Sequence, residues 1–204
     1  IEKLAASISA ELGWDEGRAL RSARLCKADL VSQMVSEFPG LQGTMGHHYA
    51  RLKGEPREVS VALEEHYLPR HAGDNLPRSR SGKILALADR VDTLTGIFST
   101  GEEPTGERDP YGLRRAALGI VRILVEKKLA LDLTYLVDLS ASIYVADGHA
   151  ISNDVRDQVI QFITERYRAY YASAGFSNDE ISAVLEVGAT QPVDFDRRLR
   201  AISR

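Results

Sequence analysis

The spacing of apolar residues restricts the fold of this chain more than any other feature of its sequence. Apolar side chains recur at intervals of three and four residues, for example at Ala19, Ala23, Cys26 and Leu30. This period is typical of amphipathic α-helices, and no convincing run of the alternating pattern of half-buried strands is found. The sequence therefore predicts an all-α fold, and its first apolar stripe predicts one helix over residues 16–38.

Glycine and proline residues divide the rest of the chain into further helices and two long loops. The loops are expected at residues 68–82 and 99–109, and irregular segments of this length often carry function. The other predicted helices are residues 41–53, 56–67, 83–98, 110–127, 132–146, 153–174, 177–187 and one from residue 192. Asp109 should cap the helix over residues 110–127, whose expected buried face is Leu113, Ala117, Ile120 and Leu124. Ser177 and Glu180 should form a capping box at the start of the helix over residues 177–187. A break at residues 147–150 predicts two domains, a main helical domain over residues 1–147 and a smaller helical segment over residues 148–204.

Composition excludes several classes of protein. The chain has 204 residues, with 26 Lys plus Arg against 29 Asp plus Glu and a formal net charge of −3 at pH 7. A chain with this balance is not a generally basic nucleic-acid binder, so any contact with RNA must come from a local cationic patch. The single cysteine, Cys26, excludes an intramolecular disulfide framework and a zinc site made of cysteines.

Cellular location is also constrained by the sequence. No apolar run approaches the roughly 18 residues of a membrane span, so we expect no contact with a membrane. A single cysteine and the lack of a secretory signal favour the cytoplasm. Because the first residue is Ile1 rather than Met, we expect the chain to be a piece of a longer protein.

Histidine and aspartate residues occur in a characteristic order along the predicted helices. His48 lies in Gly-His-His-Tyr, His66 lies in Glu-His-Tyr before the first long loop, and Asp89 lies in Leu-Ala-Asp-Arg-Val-Asp-Thr-Leu after it. This order resembles the HD superfamily of all-α phosphohydrolases, in which His and Asp side chains hold one or two metal ions that activate water. The resemblance implies an HD-like helical bundle in which Asp89 matches the last metal-binding Asp.

The His-Asp doublet that defines this superfamily is missing. The stretch that should contain it, residues 25–30, has Lys27 instead, and an ammonium group cannot bind a metal ion. The resemblance therefore implies a remnant site with no metal and no catalytic residue. The positions of this remnant are Lys27, Asp29, His48, His66 and Asp89. We expect Lys27 to pair with Asp89 or Asp29, and His66 to form a hydrogen bond with Asp89.

Three longer stretches carry a second and more specific resemblance. They are residues 25–46 (LCKADLVSQMVSEFPGLQGTMG), 65–77 (EHYLPRHAGDNLP) and 104–123 (PTGERDPYGLRRAALGIVRI). They are similar, in the same order, to the β subunits of bacterial tetrameric glycyl-tRNA synthetases. In that family the α subunit holds the catalytic site for ATP and glycine, and the β subunit, which contains an HD-like domain, is needed to bind the tRNA.

This resemblance implies a role for the chain and a set of partners. The chain is expected to be a non-catalytic part of a β subunit that helps to bind and position tRNA(Gly). It is expected to need no cofactor of its own, because the α subunit uses the ATP. The implied partners are the α subunit, the rest of the β subunit and tRNA(Gly).

Cationic segments are the candidates for contact with RNA. Around the first long loop, glycine and serine residues should let backbone amides reach a phosphate while cationic side chains supply the charge. The candidates there are Arg70, Arg78, Arg80 and Lys83, and those on the predicted helix 110–127 are Arg115 and Arg122. A further patch near the end of the chain contains Arg197, Arg198, Arg200 and Arg204. Because interleaved aromatic residues are missing from the loop and the terminal patch, we expect contacts with the RNA backbone.

Two other functions stay open. A metal-dependent phosphohydrolase acting on a nucleotide would use His48, His66 and Asp89, although the missing His-Asp doublet opposes it. A purely structural spacer would make no contact with RNA.

Overall fold

Helices account for most of the structure. A computed structural model of the chain describes residues 1–106 and 108–203. Within these residues the β-type pairing is limited to one isolated bridge, between Thr105 and Arg108, so the predicted all-α fold is confirmed. None of the helices in the described part of the chain is both long and apolar enough to span a membrane.

The chain divides into two compact units, Ile1–Asp89 and Arg90–Arg204, and the division falls inside the long helix α6 (Arg80–Ser99). The first unit also contains α1 (Glu2–Glu11), α2 (Glu16–Leu25), α3 (Gln33–Glu37), α4 (Thr44–Leu52), α5 (Arg57–Glu65) and 3₁₀ turns at Ala28–Val31 and Pro39–Leu41. The second unit continues with α7 (Leu113–Glu126), α8 (Leu133–Ala146), α9 (Asn153–Thr164), α10 (Arg166–Ser173), α11 (Asn178–Glu186) and α12 (Pro192–Ile202). The division differs from the predicted boundary at residue 147, because α7 and α8 pack against helices that follow that residue.

The core of the first unit lies between α1, α2, α4 and α5. Helix α1 packs against α2, and both α2 and α4 pack against α5. Leu4 and Ile8 of α1 and Val59 and Leu63 of α5 are among the buried apolar side chains. Their spacings of four residues place each pair on one face of its helix. The sequence analysis did not predict α1, whose helix is present in the structure.

The predicted continuous helix over residues 16–38 is wrong. The chain forms α2, a 3₁₀ turn and then α3. Asp29 lies in the turn, and its Oδ2 accepts hydrogen bonds from the amides of Gly43 at 2.6 Å and Gly46 at 3.1 Å. Ser32 caps the start of α3 with its hydroxyl group. Short polar side chains that bind backbone amides in this way favour the ends of helices over their interiors.

The helix that carries Arg115 and Arg122 begins later than predicted. Pro110 lies outside α7, whose first residue is Leu113. The carboxylate of Asp109 still caps this helix, because it accepts hydrogen bonds from the amides of Leu113 at 2.7 Å and Arg114 at 3.0 Å. The predicted buried face is confirmed, and its members are Leu113, Ala117, Ile120 and Leu124.

The predicted helix over residues 153–174 is two helices. The hydroxyl of Thr164, the last residue of α9, bonds back to two carbonyl groups of that helix. Beyond this point Tyr167 and Tyr171 are fully buried, and they continue the four-residue spacing of the buried Val159 and Ile163 of α9. Phe195 of α12 stacks on Tyr167 with ring centroids 4.3 Å apart, so aromatic contacts build the core of the second unit.

Helix α11 begins with the capping box that the sequence predicted. The amide of Glu180 donates to the hydroxyl of Ser177 at 3.3 Å, and the amide of Ser177 donates to the carboxylate of Glu180 at 2.8 Å. Two amides at the start of the helix are thus satisfied reciprocally.

Replacing Ser177 by Ala should lower the free energy of unfolding by about 1 kcal/mol, because one of these amides loses its acceptor. Urea denaturation followed by circular dichroism measures the effect. The matched control is Ser142→Ala, at an exposed position inside α8. Alanine is the better helix former there, so the control should change stability by less than about 0.5 kcal/mol. Equal losses in the two variants would contradict the assignment.

Candidate functional site

An ion pair joins Lys27 and Asp89, two of the positions at which the resemblance to the HD superfamily implied a remnant metal site. Lys27 Nζ lies 2.9 Å from Asp89 Oδ1, and the Asp89 side chain is only 18% exposed. The same ammonium lies 5.0 Å from the centre of the Tyr67 ring, within the range of a cation–π contact. The pairing of Lys27 with Asp89 that the sequence predicted is therefore present, and it neutralises the carboxylate that a metal ion would need.

The other three positions named from the HD resemblance differ in burial: His66 and Asp29 are buried, whereas His48 is exposed. His66 is fully buried, and its Nδ1 lies 2.8 Å from the carbonyl oxygen of Leu63, so this nitrogen carries the proton and donates it. Its ring packs 3.9 Å from that of Tyr67. His48 is exposed, whereas Asp29 is buried and bound to the amides at the start of α4. The predicted hydrogen bond between His66 and Asp89 stays a prediction.

The side chains around this ion pair do not fit a metal ion. Among the residues that the structure describes, no three His, Cys, Asp or Glu side chains come close enough together to hold one. Burial raises the pKa of the neighbouring Cys26 thiol to about 11, so that it stays protonated and unreactive near neutral pH. Burial, reinforced by the charges of Asp29 and Asp89, also raises the pKa of Tyr67.

A double-mutant cycle should detect the ion pair between Lys27 and Asp89. Lys27→Met and Asp89→Asn should each destabilise the protein, and the double variant should be less destabilised than the sum. Because Lys27 is 41% exposed, the coupling free energy should be only about 0.5–1 kcal/mol. Urea denaturation of the four proteins gives this value. Strict additivity of the two losses would show that the pair contributes nothing.

A groove lined by arginine residues lies in the same unit. The residues Arg18, Arg57, Arg78 and Arg80, here called the arginine groove, line a depression of about 760 Å³ together with Glu58 and Glu65. Arg57, Arg78 and Arg80 are exposed. Arg18 pairs with Glu58 at 2.8 Å. The lining thus contains four arginines and two glutamates, an excess of positive charge.

The carboxylates of the groove bind the start of α6. Glu65 accepts hydrogen bonds from the amides of Arg78 and Ser79, each at 2.9 Å. Glu58 accepts from the amide of Ser81 at 3.3 Å and from its hydroxyl at 2.9 Å. The sequence predicted that amides of this loop would reach a phosphate. In the structure, the amides of Arg78, Ser79 and Ser81 donate instead to carboxylates of α5. These amides are therefore already occupied, and the positively charged groups left in the groove are arginine side chains.

Gly82 permits the close approach of Glu65 to this helix start. A Cβ atom at position 82 would collide with the Glu65 carboxylate and lie 2.7 Å from the hydroxyl of Ser79. Any larger residue would displace the carboxylate from the amides. The glycine that the sequence analysis assigned to a phosphate-binding loop thus serves a contact between α5 and α6.

The remaining loop candidates contact aromatic rings. Arg80 and Lys83 both approach Trp14, with their charged groups 5.5 Å and 5.6 Å from the ring centre. Arg70 lies 5.8 Å from the centre of the Tyr67 ring and donates a hydrogen bond to the carbonyl oxygen of Gln42 at 3.2 Å. Sequence reasoning missed Trp14, because it comes from the turn after α1, far from the loop in sequence.

The candidates of the second unit are not part of the groove. Arg115 is exposed on α7, whereas the Arg122 side chain is 13% exposed and pairs with Glu126 at 2.8 Å. In the terminal patch, Arg198 and Arg200 each pair with an aspartate four residues earlier. Arg204 lies outside the described residues. Most of these guanidinium groups are thus neutralised locally.

Glu58 makes the groove sensitive to acid. Burial raises the pKa of this carboxyl group, but hydrogen bonds from Arg18 and Ser81 together lower it below the ordinary value of 4.5. A group with a lowered pKa stabilises the fold above its unfolded pKa and loses this effect as the pH falls through the folded pKa.

We therefore expect Glu58→Gln to be less stable than the parent protein at pH 7, by up to about 1 kcal/mol for a partly exposed group. The difference should disappear as the pH falls from about 5 to 3. Urea midpoints across this range measure it. Glu11→Gln, at an exposed position at the end of α1, is the control and should change the midpoint little at any pH. A pH-independent difference would contradict the role of the charge.

Comparison with known proteins identifies the family. A sequence profile described as "Glycyl-tRNA synthetase beta subunit" matches residues 1–186. The chain therefore belongs to this family of aminoacyl-tRNA synthetase subunits, as the resemblance in its sequence predicted.

Individual relatives agree with this assignment. The chain is 50% identical over 204 residues to the glycine–tRNA ligase beta subunit of Actinobacillus succinogenes and to that of Pasteurella multocida. It is 51% identical over 203 residues to that of Haemophilus influenzae strain PittEE. Each comparison covers 100% of this chain but 29% of the relative. The chain thus spans less than a third of the length of these relatives.

Proposed function

We propose that this chain is a non-catalytic, HD-like part of a glycine–tRNA ligase beta subunit that holds the backbone of tRNA(Gly). The observation that carries the proposal is the arginine groove, in which Arg18, Arg57, Arg78 and Arg80 line one depression. Guanidinium groups bind phosphate oxygens with two parallel hydrogen bonds and stay charged at all physiological pH values.

The groove favours contact with a phosphate backbone over contact with bases. Its polar side chains are charged except for that of Ser79, and the amides of Arg78 and Ser79 are already bound by Glu65. Phosphate contacts fix the position and orientation of an RNA without reading its sequence. The chain would therefore help to position a folded RNA, and recognition of glycine tRNA as such would come from other parts of the enzyme.

The chemistry of the whole enzyme would lie outside this chain. Family membership supports an α subunit and the rest of the β subunit as partners, and ATP-dependent attachment of glycine as the reaction of the assembly. The α subunit would hold ATP and glycine, and this chain would need no cofactor. This role would place the protein in the cytoplasm.

A titration of the complete α–β assembly with tRNA(Gly) at several salt concentrations tests the proposal. The variant Arg57→Gln/Arg78→Gln should weaken binding at least tenfold. It should also make the slope of log K against log salt shallower by about one to two. Fewer phosphate contacts mean that fewer counterions are released from the RNA on binding. The matched control is Arg24→Gln/Arg51→Gln, which removes the same charge from exposed positions outside the groove.

The two variants separate the possible outcomes. A loss confined to the groove variant supports direct contact with phosphates. Equal losses in both variants would contradict it, because they would show a general effect of net charge. No change in either variant would favour the structural spacer. Hydrolysis of a nucleotide with added manganese, abolished by Asp89→Ala, would favour the phosphohydrolase.

A further inference from the structure

We propose that Trp14 is a positioning residue, whose ring holds Arg80 and Lys83 side by side so that they bind a phosphate group of the RNA. This inference rests on the proposed function, because it gives the ring a part in the same phosphate contact. The ring centre lies 5.5 Å from the guanidinium group of Arg80 and 5.6 Å from the ammonium group of Lys83. Both distances are within the range of about 6 Å for cation–π contacts. Arg80 also lines the arginine groove, so the ring joins the groove to a further cation.

The turn after α1 fixes the backbone that carries this ring. The amide of Gly13 donates to the carbonyl oxygen of Ala10 at 3.1 Å, and the amide of Trp14 donates to the carbonyl oxygen of Ser9 at 2.9 Å. Together with the positive φ of 62° at Gly13, these two hydrogen bonds form a Schellman motif, a common way of ending an α-helix. The backbone at Trp14 is therefore set by the end of α1 and does not depend on the cations that contact the ring.

The contact with the ring leaves the positive charge of Arg80 available to a ligand. An indole ring has no net charge, so it attracts a cation without neutralising it. Among the residues that the structure describes, no carboxylate forms an ion pair with Arg80. Arg18 differs, since it pairs with Glu58 at 2.8 Å and with Asp15 at 3.3 Å. A phosphate can therefore bind Arg80 without displacing a carboxylate, whereas at Arg18 it has to compete with two.

Two cations beside one ring favour an anionic ligand. Arg80 and Lys83 are three residues apart in α6, a spacing that makes their side chains neighbours on the helix surface. Like charges at this spacing repel each other, whereas both attract an anion. An exposed arginine also loses rotamer freedom when a ligand fixes it, and this loss weakens binding. Because Trp14 already restrains Arg80, part of the loss occurs when the protein folds.

Fluorinated tryptophans at position 14 test the role of the ring while nearly preserving its shape. Fluorine withdraws electron density, so each added fluorine weakens the attraction of the ring for a cation. The complete α–β assembly is titrated with tRNA(Gly) when this position carries tryptophan or its analogues with one or three fluorine atoms on the ring. The affinity should fall stepwise, by about threefold in total. A constant affinity across the series would overturn the proposal.

Removal of the two cations separates a positioning role from a purely structural one. In the background Arg80→Gln/Lys83→Gln, fluorination should not change the affinity, because the ring then has no cation to hold. An equal fall in this background would overturn the proposal.

A second pair of variants removes whole rings. Trp14→Leu should weaken binding about fivefold, whereas the control Tyr49→Leu, which removes an exposed ring from α4, should leave it unchanged. Equal losses in these two variants would overturn the proposal. The fluorinated series tests it even if Trp14→Leu impairs folding.

The groove variant Arg57→Gln/Arg78→Gln distinguishes this inference from the proposed function. If the groove variant weakens binding and fluorination does not, the proposed function holds and the role of Trp14 is wrong. If fluorination alone weakens binding, the role of Trp14 holds and the phosphate contact is confined to its two cations. If neither change weakens binding, both proposals are wrong.

Discussion

The first unit depends on the contact between two carboxylates of α5 and the start of α6. Glu58 and Glu65 are seven residues apart, so they lie on one face of α5, and both accept hydrogen bonds from residues 78–81, where the next helix begins. Free amides at a helix start attract anions, and here the protein supplies the anions itself. The same contact holds Arg78 and Arg80 beside Arg18 of α2 and thereby forms the arginine groove.

The Lys27 side chain places a fixed positive charge beside Asp89, the residue that the HD resemblance matched to a metal-binding Asp. The ammonium group of Lys27 is a single positive charge carried by the protein itself, and it pairs with Asp89 without any further ligands. A metal ion would require several deprotonated side chains around it, and the described residues do not provide such a cluster. The HD-like order of residues in the sequence is thus accompanied by an ion pair and, among the described residues, not by a set of metal ligands.

The features that the sequence predicted correctly are those that depend on neighbouring residues. The capping box of Ser177 and Glu180 and the buried face of α7 follow from spacings of three and four residues. The break after α2 could not be predicted in this way, because Asp29 is held by amides of Gly43 and Gly46, which come 14 and 17 residues later. The arginine groove was only half predicted: Arg78 and Arg80 lie in the conspicuous loop, but Arg57 joins them only through tertiary packing.

The distance from the guanidinium groups of Arg57 and Arg78 to the nearest phosphate oxygen of a bound tRNA tests the central claim most directly. It can be measured in a cryo-electron microscopy structure of the α–β assembly with tRNA(Gly). The account predicts that at least one of these groups lies within about 3 Å of a phosphate oxygen, the length of a charge-assisted hydrogen bond. A complex in which the tRNA leaves the whole arginine groove open to solvent would contradict it.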